Sequence, residues 1–228
     1  ASLKDPVAAE ITREFLRVAP PDVILNATGF ALSSPGAETA KTPFDDSDCP
    51  ILQVVFSGGG EEAWRDGTRG LSARDIAMNV ALPEVDGRIL TRAVSFKGQA
   101  QRNDLVEADI VEYQPVADRI DFTAQLAAAW ARLRRKPAQD RRVAIVLANY
   151  PNKDGRMGNG VGLDTPAGTV NVLAAMADAG YRVDGAPKDG AALIERLAKG
   201  PTNAGWRGRI IEETLSFADY QIFFATLP

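Results

Sequence analysis

The stretch "RRVAIVLANYPNKDGRMGNGVGLDTP" (141–166) decides how the chain is read. Its first part, "RVAIVLANY" (142–150), is nearly all apolar, as in a strand covered on both faces of a parallel sheet. From 149 to 166 it becomes a long polar loop containing Gly155, Gly158, Gly160 and Gly162. Glycines add freedom to the unfolded chain, so ordering such a loop is costly. Val170, Leu173, Met176 and Ala177 then recur at helical spacing. Thr165 can cap that helix with Pro166 at its first position, and Gly180 can end it. A loop at the C-terminal end of a parallel strand is where open α/β sheets place ligands. The competing reading is a solvated connection that only turns a corner.

The pattern extends outward from there. Leu3, Val7, Ile11, Phe15 and Val18 mark a surface helix stopped by Pro20 and Pro21. "DVILNATGF" (22–30) reads as a strand, 31–50 as a long irregular excursion, and "ILQVVF" (51–56) as a covered parallel strand. "SGGGEEAW" (57–64) is a strand-to-helix junction, with helix in two pieces through Asn79, broken around Gly67 and Gly70. Residues 80–90 read as a loop and a short strand, 91–97 as extended, and 98–117 as irregular. A helix from Asp118 or Asp121 carries Phe122, Leu126, Trp130 and Leu133. "YRVDG" reads as a strand and 191–200 as a helix.

Strands alternating with helices predict an α/β fold, a mostly parallel, Rossmann-like sheet with flanking helices. Two segments are expected. Residues 1–110 carry the "PEVDG" loop, and residues 111–228 carry the "NYPNKDGRMGNGVGLDTP" loop. The chain opens on Ala1 inside what reads as a working helix and closes on "FFATLP", as a piece excised from a larger multidomain protein would.

Composition narrows the chemistry. Among 228 residues there is no histidine, which removes Ser-His-Asp and Cys-His mechanisms and imidazole zinc sites within the chain. Proton transfer must use carboxylates, lysine, tyrosine or water. A single cysteine, Cys49, forbids an internal disulfide and fits a reducing, cytoplasmic compartment. No apolar run is long enough for a membrane span. The net charge is −4 and the basic run "RLRRK" (132–136) sits at a helix end, where it complements the dipole, so no nucleic-acid partner is expected.

Four groups of residues are site candidates. Backbone N–H groups of Ser57–Gly60 can hold an anion or simply form a turn, and Glu61 and Glu62 oppose an anion there. Glu84 and Asp86, two apart, would point the same way in an extended segment. They can bind a cation or accept protons, or form a solvated turn with Arg88. Arg65, Arg69 and Arg74, near Trp64, can meet a carboxylated ligand or pair with Glu61, Glu62 or Asp66. Asn149, Asn152, Asp154, Arg156, Asn159 and Asp164 line the long loop.

"DCPILQVVFSGGGEEAW" (48–64), "RGLSARDIAMNVALPEVDGRILTRAVSFK" (69–97) and the stretch 141–183 resemble the large-subunit family of cobaltochelatase (CobN) and magnesium chelatase. The resemblance covers roughly 20–185, and "ALPEVDGR" and the 149–166 loop carry most of it. It implies the tetrapyrrole-binding subunit of an ATP-dependent cobaltochelatase, a ligase forming metal–nitrogen coordination bonds. That enzyme inserts Co2+, a substrate, into hydrogenobyrinic acid a,c-diamide during cobalamin biosynthesis. ATP and Mg2+ would be used by partner AAA+ subunits of the CobS and CobT types, and this segment alone would be inactive. Insertion exchanges pyrrole N–H protons for a divalent ion. The resemblance therefore casts Glu84 as proton acceptor and metal ligand, with Asp86 as helper. Arg65, Arg69, Arg74, Arg88 and Arg156 would meet ring carboxylates, and Asn149, Asn152 and Asn159 ring amides. The alternatives are a magnesium-chelatase homologue, a sugar- or nucleotide-binding module, and a non-catalytic domain that docks the ATPase partners.

Overall fold

The computed structural model describes residues 3–33, 42–149, 154–202, 205–211 and 214–227. The chain divides into two compact units, Ala1–Lys136 and Pro137–Pro228.

In the first unit, helix α1 (Pro6–Val18) starts at Asp5, whose carboxylate accepts from the Val7 amide at 2.8 Å, with Pro6 in the first turn. Four strands follow: β1 (Ile24–Asn26), β2 (Ile51–Ser57), β3 (Ile89–Asn103) and β4 (Ala108–Pro115), in the spatial order β1-β2-β3-β4. β1–β2 and β2–β3 are parallel, and β3–β4 is antiparallel. Register shifts fall at Gln53/Val55, Val55/Phe56 and Gln99/Gln101. Such irregularities increase local twist, and the sheet is a strongly curled, mixed half-barrel. This overturns the mostly parallel, Rossmann-like expectation. The segment expected to be irregular, 98–117, instead supplies the end of β3 and all of β4.

Between β2 and β3 lie α2 (Glu61–Asp66), α3 (Ala73–Ile76), a π-helical stretch (Ala77–Ala81) and α4 (Leu82–Val85). The last three form one continuous helical run: helix was expected only through Asn79, and it continues to Val85 where a loop was expected from residue 80. Pro83 has no N–H and its ring crowds the preceding turn. The adjoining π stretch is the kind of local widening that accommodates such a residue. Val55, Ala93, Phe96 and Val116 form the core, and Trp64, Leu71 and Val80 pack on it. The Trp64 and Phe96 rings lie 5.0 Å apart. Helix α5 (Ala117–Arg135) returns over β3, and its Arg119 guanidinium stacks 4.5 Å from the Trp64 ring.

The second unit contains α6 (Thr165–Asp178), α7 (Gly190–Lys199) and α8 (Phe217–Phe224). Asp164, rather than Thr165, caps α6 by accepting from the Ala167 amide at 3.0 Å. Gly180, at φ 83°, closes it: the Gly180 amide bonds Ala177 O and the Tyr181 amide bonds Met176 O. A Cβ on Gly190 would lie 2.9 Å from the Ala167 nitrogen, so glycine there lets the starts of α6 and α7 touch. Residues 141–148 have no strand partner among the described residues, and neither does 181–183. Both were expected as strands.

Candidate functional site

The helical run from Ala73 to Val85 positions the first cluster. Ser72 caps it by accepting from the Asp75 amide at 3.1 Å. At its far end Gly87 takes a φ of 71°, which favours glycine, and the chain turns sharply into β3. Glu84 and Asp86 are thereby parted. Glu84 is exposed, with no ion-pair or hydrogen-bond partner for its side chain among the described residues. The Asp86 side chain is buried. It accepts from the Leu32 amide at 2.7 Å, from the Ser33 amide at 3.0 Å and from the Ser33 hydroxyl, and it pairs with Arg88 at 3.0 Å. Burial pushes its carboxyl up, but those donors and the Arg88 charge outweigh burial and hold it below the usual carboxylate range.

Arg88 is buried too, and it donates to Thr28 O at 3.1 Å. The same oxygen accepts from Asn26 and Gln53 side-chain nitrogens, each at 3.1 Å. Asn26 also donates to Gln53 Oε1 at 2.7 Å. Desolvation lowers the Arg88 pKa, and Asp86 offsets part of that. This network lies in the sheet interior and pins the backbone of residues 28–33. Phe30, in that loop, has a φ of 64° and a half-exposed ring.

The glycine junction after β2 already holds an internal anion. Asp75 accepts from the Gly58 amide at 3.0 Å, Ser57 Oγ at 2.9 Å, Ser72 Oγ at 3.0 Å and Asn79 Nδ2 at 3.3 Å. Burial raises its pKa, and the four donors together hold it below the usual carboxylate range. Arg65 is exposed and pairs with Glu61. Because α2 ends at Asp66 with Gly67 extended, Arg65 and Arg69 do not share a helical face. Arg69 borders a hollow of about 800 Å³ with Trp64, Gly59 and Ser72. Arg74 is exposed on α3.

In the second unit the long loop folds back on the segment before it. Asn149 bridges Met157, and the Gly158 amide donates to Ala148 O at 2.9 Å. Asn149 borders a cavity of about 760 Å³ with Met157, Leu173, Tyr181 and Leu193. Its Oδ1 is buried without a hydrogen-bond partner among the described residues. Arg156 and Asn159 are exposed, and Asn152 lies outside the described residues.

Sequence reasoning missed Asp75, Gln53, Asn26 and Phe30. Asp75 carried a signal, the Ser72-x-x-Asp75 spacing of a helix start. Gln53 stood out as the one polar residue inside "ILQVVF". Phe30 carried none. Among the described residues no group of three or more His, Cys, Asp and Glu could hold a metal ion. No described helix is long and apolar enough to cross a membrane.

Known proteins resemble this chain over all or most of its length. The aerobic cobaltochelatase subunit CobN of Sinorhizobium sp is 55% identical over 228 residues, covering 100% of this chain and 18% of that protein. Its counterpart in Pseudomonas aeruginosa is 46% identical over 230 residues, with the same coverages. The chloroplastic magnesium-chelatase subunit ChlH of Oryza sativa subsp. japonica is 29% identical over 183 residues, covering 77% of this chain and 12% of that one. The solved catalytic subunit of cobaltochelatase from Mycobacterium tuberculosis superposes with a TM-score of 0.74 at 34% identity, covering 100% of this chain and 19% of that structure. The chain thus spans under a fifth of the length of these relatives. The CobN/Magnesium Chelatase family model matches residues 2–228, and the chain belongs to that family.

Proposed function

We propose that this chain is part of the tetrapyrrole-binding large subunit of an ATP-dependent cobaltochelatase, with Glu84 as its proton acceptor and transient metal ligand. The observation that carries the reading is the contrast between two neighbouring carboxylates. Asp86 is buried and fully engaged in holding the fold, while Glu84 is exposed and has no side-chain partner among the described residues. Insertion moves a divalent ion from water onto the ring nitrogens and releases N–H protons. An unengaged carboxylate can replace water on the ion and take a proton from nitrogen. Co2+ is the substrate metal. Identities of 55% and 46% to cobaltochelatase subunits, against 29% to the rice magnesium-chelatase subunit, favour cobalt over magnesium.

Arg65, Arg69 and Arg74 offer guanidinium groups to ring carboxylates in the first unit, and Arg88 supports Asp86 from within. In the second unit Arg156, Asn149, Asn152 and Asn159 carry donors for carboxylates and amides. ATP and Mg2+ act on partner AAA+ subunits of the CobS and CobT types. The test uses the full-length parent with those partners and hydrogenobyrinic acid a,c-diamide. Glu84→Gln is expected to bind the ring as the parent does and to lose cobalt insertion by about a hundredfold or more. Full insertion by that variant refutes the role of Glu84. Absence of ring binding by the parent refutes the tetrapyrrole reading.

A further inference from the structure

We infer that Phe30 is an aromatic platform on which the tetrapyrrole ring stacks beside Glu84; this rests on the tetrapyrrole reading above. Phe30 has a φ of 64°, a backbone region that a bulky L residue enters only where its surroundings enforce it. The enforcement is explicit. Thr28 O is fixed by Asn26, Gln53 and Arg88. The Phe30 amide donates to Met78 O at 2.7 Å. The Leu32 and Ser33 amides are held by Asp86. Gly29 lies so close to the helical run that a Cβ there would meet Asn79 Oδ1 at 2.8 Å and Met78 O at 3.0 Å.

All this holds an aromatic ring out toward water. Phe30 is 55% exposed while the next residue, Ala31, is 5% exposed. A loop built only for packing would turn the ring inward, or place glycine at the left-handed position. A rigid exposed aromatic loses little freedom when a flat ligand covers it. The loop also lies close to the proposed chemistry. Met78, which holds the Phe30 amide, is six residues before Glu84 on one helical run, at most about 9 Å along the axis at ~1.5 Å per residue. That span is of the order of a tetrapyrrole macrocycle. Asp86, two residues after Glu84, holds the Leu32 and Ser33 amides, so the loop that carries Phe30 also reaches the end of the run where Glu84 stands.

The experiment compares Phe30→Gly and Phe30→Trp in the full-length parent, titrated with hydrogenobyrinic acid a,c-diamide. Glycine relieves the left-handed backbone, so Phe30→Gly is expected to keep or raise the melting temperature. It should also weaken ring binding at least tenfold. Phe30→Trp should keep parental affinity, and its added indole fluorescence should be quenched as the ring binds. Parental affinity in Phe30→Gly overturns the inference. So does a fall in melting temperature that accounts for the lost binding, because that marks a structural role. If the parent binds the ring and Glu84→Gln abolishes insertion while Phe30→Gly binds normally, the stacking inference alone fails. If the parent binds no ring, the tetrapyrrole reading fails with it.

Discussion

Asp86 and Arg88 illustrate a buried ion pair whose role is positional. Their side chains are almost wholly excluded from water, and together they fix a loop more than fifty residues earlier in the chain. Removing one partner of such a pair leaves a buried charge uncompensated. Asp86→Asn is therefore expected to lose about 3–5 kcal/mol of stability at neutral pH, measured by denaturant unfolding. The pH dependence has a defined sign. Because the folded Asp86 pKa is depressed, its contribution is complete above the unfolded value of about 3.9 and is lost as pH falls through the folded one. The parent should weaken steeply below about pH 4, and Asp86→Asn should show a shallower slope there, the remainder coming from other depressed carboxylates, Asp75 among them. An unchanged slope would mean that the carboxylate is solvated. The two carboxylates of "PEVDG" were legible as a pair in the sequence. Which one turns inward was not, because the donors that decide it are Leu32 and Ser33, remote along the chain.

The same division between local and distant causes appears among the elements. Helices α1, α5, α6 and α7 were legible because their apolar periodicity lies within each segment, with an aspartate capping the start of α1, α6 and α7 and a glycine following the end of α6 and α7. The β3–β4 ribbon was not. Its far end is exposed, with Leu105 and Val106 at its tip facing water, so no buried face imprints an alternating pattern. Helix through Pro83 was equally hidden, since proline ordinarily argues against it and only the π stretch accommodates it. "RVAIVLANY" carries the composition of a covered strand, yet among the described residues 142–148 pair with no strand and Asn149 makes only an isolated bridge to Met157. The loop that follows separates glycines by role. Gly158 is buried at φ 69° against Pro166 and Ile194, whereas a Cβ on Gly155 would meet nothing within 4 Å. Gly158→Ala is expected to cost about 1–2 kcal/mol, and Gly155→Ala to be neutral or slightly stabilising. Thermal unfolding of the two variants checks this, and equal effects would show that the loop does not hold this backbone in solution.

At the scale of the whole molecule, the outward side of α1 is the instructive feature. Val7, Ile11, Phe15 and Val18 made the helix legible, and a stripe at that spacing ordinarily faces a core. Here they are 67%, 65%, 69% and 70% exposed, and the helix meets the first unit through Ala9 on its other side. Such a continuous apolar stripe is unusual on a self-sufficient protein, and the relatives of this chain are more than five times its length. Substituting Val7 and Phe15 together by glutamate distinguishes a face that is always open from one that the longer protein covers. In these 228 residues alone the change removes exposed apolar surface. It is expected to reduce self-association and binding of an apolar dye, with unfolding shifted by no more than about 0.5 kcal/mol. In the full-length parent two charges would enter an apolar contact, and the melting temperature and soluble yield are expected to fall. Equal, small effects in both proteins would show that the stripe faces water in each. A loss of stability in the short chain would show instead that its own residues cover α1.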